Sequence, residues 1–206
     1  VKIGFNHSLD IDLLNFLSDF VSNEEMLMLD VNQGWSFEEA REFLKILENY
    51  NFSWIEEPIT ALLNPEKFIK LMGETKCNLA FGENITNTDE FIFLGQNSRS
   101  KYIQPDLTKY GGISLIKELS QTIQNNKIWI HFLGGGVGLL TSAHIMSALN
   151  PDAFLETDIN MNPLRTSLFE NELEIVDGKL HLEGCDGIGG PLNYDTIDKY
   201  LVSSNI

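Results

Sequence analysis

The stretch KIWIHFLGGGVGLLTSAHIMSAL (residues 127–149) contains, in one unit, the pattern that decides the fold. A short apolar run of strand length comes first, a glycine-rich turn follows, and an apolar segment of helical length completes the unit. The same order recurs along the chain, so strands and helices are predicted to alternate. Strict alternation favours right-handed βαβ units and therefore a parallel sheet.

Strand-like runs occur at seven places, and each but the last is followed by a predicted helix. They are residues 1–4, 26–30, 52–56, 77–83, 101–106, 127–131 and 152–156. Ser36 with Glu39 gives a capping-box pattern, and Asn64 precedes a proline suited to the first helical turn. After residue 156 only a hairpin (173–182) and a short helix (194–202) are predicted. An open doubly wound sheet and a (β/α)8 barrel both fit this order.

The composition excludes several classes of function. Lys and Arg number 14 and Asp and Glu 30, so the formal net charge is −16 and nucleic acid is not expected as a partner. No apolar run reaches about 18 residues, so no membrane partner is expected, and no signal-peptide pattern is visible. Cys77 and Cys185 belong to no CxxC pair and are interpreted as idle thiols of a reducing, cytoplasmic compartment.

Residues able to do chemistry stand at the ends of the strand-like runs. They are Asp30, Glu56, Glu83, Asp106, His131 and Glu156. In a parallel barrel the carboxyl ends of the strands meet on one face, and that face carries the active site. The first three acids follow successive strands, one βα unit apart, so we expect them to point into a common space.

Three carboxylates in one place repel each other unless a cation holds them together. Carboxylate oxygens favour a hard cation, and Mg²⁺ is the predicted one. The alternative is that each acid merely caps the helix that follows its strand. Three acids at successive strand ends favour the metal site over three independent caps.

Three segments resemble the metal-ligand motifs of the enolase superfamily, and more closely those of its mandelate racemase/muconate lactonizing enzyme family. They are DVNQGW (residues 30–35), WIEEP (54–58) and GEN (82–84). The resemblance covers residues 2 to about 200. It implies an α/β fold, a (β/α)8 TIM-type barrel that here is incomplete because the first strand and the N-terminal capping domain are absent. Residues 1–160 would then hold barrel strands two to eight, and residues 161–206 a C-terminal extension. The start at Val1 is consistent with a piece of a longer protein.

The resemblance also implies roles for individual residues. Asp30, Glu56 and Glu83 would bind Mg²⁺, Glu57 would be a supporting acid, and Asn32 would orient groups near the metal.

The acid/base groups are implied in the same way. The segment VKIG (residues 1–4) resembles the end of a KxK motif, which makes Lys2 one base. Asp106 and His131 match a His-Asp dyad, and Glu156 matches an acid that hydrogen-bonds the substrate carboxylate. Lys109, in the turn beyond Asp106, is interpreted as structural.

Such a set suits the removal of a proton from the carbon beside a carboxylate. Enolase-superfamily sites pair a Lys or His base with one or two Mg²⁺ ions, which stabilise the enediolate as it forms. We therefore predict a dehydratase that eliminates water from a hydroxylated carboxylate of the sugar-acid or hydroxyproline type. A racemase or epimerase with the same two bases is the alternative, and an inactive fragment or a metal-stabilised binding module are others. The implied partners are a small carboxylate substrate and further copies of the chain.

Overall fold

The computed structural model describes residues 1–21, 27–62, 64–123, 127–150, 154–171, 173, 175–182 and 187–202. Within these residues, five strands form one parallel sheet in which sequence order is also spatial order. The strands are β1 (Met28–Asp30), β2 (Trp54–Glu56), β3 (Leu79–Phe81), β4 (Tyr102–Ile103) and β5 (Lys127–Ile128). Successive parallel neighbours are the arrangement that repeated βα units produce.

Helices precede, separate and follow these strands. They are α1 (His7–Ser18), α2 (Phe37–Leu47), α3 (Pro65–Glu74), α4 (Thr88–Asn97), α5 (Leu107–Tyr110), α6 (Ile113–Thr122) and α7 (Gly136–Leu149). The predicted caps are confirmed, because Ser36 and Glu39 form a capping box on α2 and Asn64 accepts a hydrogen bond from the Lys67 amide on α3. The single-turn helix α5 lies where the sequence predicts only a turn.

The pairing continues beyond the named strands at both ends of the chain. Lys2 forms a parallel bridge with Asp30, so the first strand-like run lies beside β1. Asp106 and His131 form a second parallel bridge past the ends of β4 and β5. The strand predicted for residues 152–156 is wrong at residues 154–156, which form no hydrogen-bonded ladder with a neighbouring strand. Residues 152 and 153 lie outside the described part of the chain.

The C-terminal part contains α8 (Pro163–Thr166), β6 (Ile175–Val176), β7 (Lys179–Leu180) and α9 (Tyr194–Tyr200). Strands β6 and β7 form the predicted antiparallel hairpin, and α9 is the predicted terminal helix. Helix α8 is an addition to the predicted elements. No helix among the described residues has the length and apolarity needed to cross a bilayer.

The two faces of the sheet bury different side chains. Ile55 on β2 and Phe81 on β3 belong to the main core, which packs against the helices. Trp54 on β2 belongs to a smaller cluster with Ala80 and Trp129. Because side chains alternate along a strand, this cluster lies on the opposite face. Glu56 follows Trp54 by two residues and therefore shares that face, which is how the strand directs its acid toward the site.

Candidate active site

The parallel register brings the polar strand ends to one edge of the sheet. Asp30 and Glu56 are direct neighbours in the pairing of β1 with β2. Glu83 follows the end of β3, the next strand. The Asp106–His131 bridge continues the same edge beyond β4 and β5. The strand ends singled out in the sequence are therefore adjacent in space.

Asp30, Glu56 and Glu83 form a row of acids along this edge. Two basic side chains contact the outer members of the row. Lys2 Nζ forms an ion pair with Asp30 Oδ2. Burial lowers the pKa of Lys2, but this hydrogen bond and the negative charges of the nearby acids together outweigh burial and raise that pKa. His131 Nε2 lies 2.6 Å from Glu83 Oε2 and lowers the pKa of that carboxyl. In the part of the chain that the structure describes, no three His, Cys, Asp or Glu side chains are arranged to hold a metal ion. Asp30 and Glu83 instead contact basic side chains of the protein itself, Lys2 and His131.

Glu56 is the buried acid in the middle of this row. Its carboxylate accepts a hydrogen bond from Gln104 Nε2 at 2.8 Å. Burial, reinforced by the nearby charge of Asp30, raises the pKa of Glu56 to about 8. Gln104 Oε1 is buried, and among the residues that the structure describes it has no hydrogen-bond partner. A cation bound beside the Glu56 carboxyl and Gln104 Oε1 would favour the ionised form of Glu56.

His131 lies between two carboxylates. Asp106 Oδ2 is 3.0 Å from His131 Nδ1, and Thr108 donates to Asp106 Oδ1 from both its amide and its hydroxyl, at 2.8 and 2.6 Å. Burial alone would raise the pKa of Asp106, but these hydrogen bonds outweigh it and lower that pKa to about 2. Burial disfavours the imidazolium, yet hydrogen bonds to Asp106 and Glu83 raise the pKa of His131 to about 10. The geometry is that of a His-Asp dyad.

Glu156 lies beside His131 and Phe132. The amide of Phe132 donates to Glu156 Oε2 at 3.4 Å, and Glu156 Oε1 lies 3.9 Å from His131 Nε2. Burial raises the pKa of Glu156. Lys109 Nζ is 4.0 Å from Asp106 Oδ2 and remains partly exposed, which fits the structural interpretation of this residue.

Further polar residues hold the acids in place, and sequence reasoning gave two of them no role. Gln33 Nε2 and Asn84 Nδ2 each donate to Glu57 Oε2 at 2.8 Å. Asn84 Nδ2 also lies 2.9 Å from Glu83 Oε1, to which Asn32 Nδ2 donates at 3.3 Å. The predicted placement of Asn32 beside the acids is therefore observed. Gln33 and Asn84 stand inside the quoted motifs, so a signal for them was present.

The backbone around these residues adopts an uncommon conformation. Among the described non-glycine residues, four have positive φ, and three of them are Asn32 (49°), Gln33 (61°) and Glu57 (39°). Such conformations cost free energy and cluster at functional sites, where surrounding contacts maintain them. The strain coincides with the motifs DVNQGW and WIEEP.

The helix-capping alternative accounts for only part of the set. Asp106 does cap α5 through its bond to the Thr108 amide. The helices after Glu56 and Glu83 are capped by other residues, Asn64 and Asn87. Capping therefore does not explain why these two glutamates stand at their strand ends.

A cavity of about 440 Å³ adjoins the row of acids. Its lining includes Lys2, Asp30 and Glu56 together with the aromatic residues Trp129 and Phe154. Two of the three acids, Asp30 and Glu56, therefore border a space large enough for a small molecule.

Comparison with known proteins gives consistent matches. The model of the enolase C-terminal domain-like family matches residues 1–196. The chain is 29% identical over 196 residues to L-talarate/galactarate dehydratase of Salmonella typhimurium, covering 94% of this chain and 47% of that protein. It is 27% identical over 208 residues to arabinonate dehydratase of Saccharolobus solfataricus, covering 99% of this chain and 55% of that protein.

A solved structure of an L-talarate/galactarate dehydratase mutant, liganded with Mg and L-glucarate, superposes with a TM-score of 0.81. Its sequence is 27% identical, and the match covers 96% of this chain and 49% of that one. The chain spans about half the length of the curated relatives it matches. The barrel-type fold predicted from the sequence is thereby confirmed. Since the family model covers nearly all of it, this chain belongs to the enolase C-terminal domain-like family, in the mandelate racemase/muconate lactonizing enzyme branch of the enolase superfamily.

Proposed function

We propose that this chain carries the catalytic face of a Mg²⁺-dependent enzyme that removes the α-proton of a carboxylate substrate. The observation that carries the proposal is the meeting of a row of acids with two basic groups at one sheet edge. The row is Asp30, Glu56 and Glu83, and the basic groups are Lys2 and His131. Binding alone needs no acid/base pair, so this combination favours catalysis over a metal-stabilised binding module.

The donor chemistry of the row fits a divalent cation. Asp30, Glu56 and Glu83 offer only oxygen atoms, which Mg²⁺ prefers. Burial and the charge of Asp30 raise the pKa of Glu56, and a cation bound there would favour its ionised form. These three residues would hold the ion after Lys2 and His131 release Asp30 and Glu83. Bound there, Mg²⁺ would stabilise the negative charge that develops on the substrate carboxylate.

Lys2 and His131 would be the two proton-transfer groups. They contact opposite members of the row, Asp30 and Glu83, so a substrate held over the row would have one basic group on each side. Asp106 accepts from His131 Nδ1 and leaves Nε2 as the atom that exchanges the proton. Glu156, beside the Phe132 amide, would hydrogen-bond the substrate carboxylate.

Dehydration of a sugar acid is the reaction that we favour. One base takes the α-proton, the β-hydroxyl leaves as water with a proton from the other group, and the resulting enol becomes a 2-keto acid. The relatives at 29% and 27% identity are dehydratases whose names specify sugar acids, which supports this substrate class over hydroxyproline. Two basic groups on opposite sides also suit a racemase or epimerase, in which the second group returns the proton to the other face.

The test is incubation of the protein with Mg²⁺ in D₂O and a panel of sugar acids and hydroxyprolines. A 2-keto acid product is the expected result for at least one sugar acid. Deuterium at the α-carbon without a keto acid would favour epimerisation instead. The absence of exchange and of product with every acid would refute both reactions. A sample with the metal removed by a chelator is the matched control, and it should be inactive.

A further inference from the structure

Arg165 is a buried arginine outside the set of proposed catalytic groups. It is 6% exposed. Its Nη1 lies 3.3 Å from Asp158 Oδ2, and its Nη2 donates to the backbone oxygen of Asn160. Buried arginines are rare unless their charge and N–H groups are paired, and these two contacts supply that pairing for Arg165. Both partners belong to the loop of residues 157–162, which directly follows Glu156.

The helix that carries Arg165 also packs against the turn that follows His131. Asn162 Nδ2 at the start of α8 donates to the backbone oxygen of Gly134 at 3.2 Å. A Cβ atom on Gly136 would lie 3.0 Å from the backbone oxygen of Arg165. That distance is too short for an ordinary contact, so the glycine-rich turn permits a close approach of α8. Helix α8 therefore contacts both loop 157–162 and turn 132–136, the segments that follow Glu156 and His131.

Turn 132–136 follows His131 and loop 157–162 follows Glu156, and the residues where these two segments begin contact each other in the site. The amide of Phe132 donates to Glu156 Oε2, and His131 Nε2 lies 3.9 Å from Glu156 Oε1. We propose that Arg165 is a positioning residue: its side chain fixes loop 157–162 to α8, and α8 is held against turn 132–136 by Asn162 and by the close approach at Gly136, so that Arg165 sets the position of Glu156 relative to His131. The catalytic part of this inference rests on the proposed function, whereas the mechanical coupling of the two segments does not.

Hydrogen–deuterium exchange tests the coupling without any substrate. In Arg165→Met, amides in both 132–136 and 157–162 should exchange about tenfold faster, because the loss of the Arg165 hydrogen bonds frees loop 157–162 and thereby loosens the packing of α8 on the turn. Arg41→Met is the matched control, since Arg41 forms an ion pair with Glu74 on the distant, exposed surface of α2 and α3. It should leave both segments unchanged. Faster exchange confined to 157–162, or an equal increase over the whole chain, would overturn the inference.

A second variant keeps the test decisive if Arg165→Met does not fold. Gly136→Ala keeps the Arg165 side chain and its two partners in the sequence, but the added Cβ would push the backbone of α8 away from the turn by a few tenths of an ångström. The same two segments should again exchange faster together. Unchanged exchange in 132–136 would show that α8 does not hold this turn, and would overturn the coupling.

Kinetics then separate positioning from a purely structural role. With a sugar acid that the wild-type chain converts, Arg165→Met should lower kcat by about 10- to 100-fold and change KM much less, since small misplacements of reacting groups mainly slow the chemical step. Arg165→Lys should recover only part of kcat, because an ammonium cannot reproduce the planar fork that reaches both partners. An unchanged kcat in Arg165→Met would overturn the positioning role. An inactive wild-type chain would instead refute the proposed function and leave the exchange result to decide the coupling.

Discussion

At the scale of single residues, the fold strongly changes the ionisation of the Glu56 carboxyl. Its folded pKa of about 8 lies above its ordinary value of 4.5, so the folded protein binds a proton that the unfolded chain has already released. The contribution of Glu56 to the free energy of unfolding is therefore full below pH 4.5 and falls as the pH rises toward 8. A cation that pairs with the ionised carboxylate reverses this loss.

Mg²⁺ binding should consequently depend on pH. Below pH 8 the ion must displace the Glu56 proton, so its apparent affinity should rise about tenfold per pH unit and level off above that value. Calorimetric titrations at pH 6, 7, 8 and 9, in buffers of different ionisation enthalpy, would measure both the affinity and the proton released. A constant affinity from pH 6 to pH 9 would show that Glu56 does not bind the ion.

His131 should be required for turnover and dispensable for the metal. Replacing His131 with Asn removes the proton-transfer nitrogen, and α-proton exchange should fall by about 10²- to 10⁴-fold. Affinity for Mg²⁺ should not decrease, because the substitution removes a cationic partner of Glu83 and no proposed ligand. His181→Asn, in the exposed part of the C-terminal hairpin, is the matched control. Full activity in His131→Asn would remove this residue from the mechanism.

Much of the residue-level placement is implicit in the sequence. Acids at the ends of parallel strands must meet at one edge, so the proximity of Asp30, Glu56 and Glu83 follows from strand order alone. Their hydrogen-bond partners do not follow. Gln104 reaches Glu56 across 48 positions of sequence, and no local pattern encodes such a contact. It does precede Asp106 by two residues, which places both side chains on the same face of an extended segment.

At the scale of elements, Gly82 sets how closely β3 and the residues after β4 approach each other. It has φ of 143°, and a Cβ there would lie 2.8 Å from backbone atoms of Gln104. The next residue is Glu83, so any displacement of this backbone also moves an acid of the site.

Gly82→Ala should therefore be costly in two respects. It should lower the free energy of unfolding by about 1–3 kcal/mol through backbone strain and overpacking. It should also weaken Mg²⁺ binding, because Glu83 shifts. Gly73→Ala is the control: Gly73 lies in α3 with open space around it, and alanine should stabilise the helix by about 0.5–1 kcal/mol. Urea denaturation measures the free energy of unfolding of both variants. Equal stability of Gly82→Ala and Gly73→Ala would contradict this account of Gly82.

Elements with strong local signals were predictable, and those that depend on neighbours were not. Helix α2 follows from its capping box and apolar periodicity, which are local. Residues 154–156 have strand-like composition, but a strand also requires a hydrogen-bonding partner, which composition cannot reveal. Helix α8 is one turn long and too short for periodicity to register, although it touches two segments of the site.

At the scale of the whole molecule, the charge distribution favours the binding of cations. The formal net charge is −16, and the proposed site concentrates carboxylates at one edge of the sheet. An anionic substrate would be repelled by this edge unless a cation binds there as well. In the proposed function, metal binding would therefore be the step on which substrate binding and proton removal both depend.

Calorimetric titration of Mg²⁺ into the wild-type chain and into Glu56→Gln is the most direct test of that step. The wild-type chain should bind one ion, and Glu56→Gln should lose at least about tenfold in affinity because an oxygen donor of the ion loses its charge. Glu38→Gln, an exposed acid on α2, should bind like the wild type. If Glu56→Gln and Glu38→Gln bind Mg²⁺ equally well, the row of acids is not a metal site.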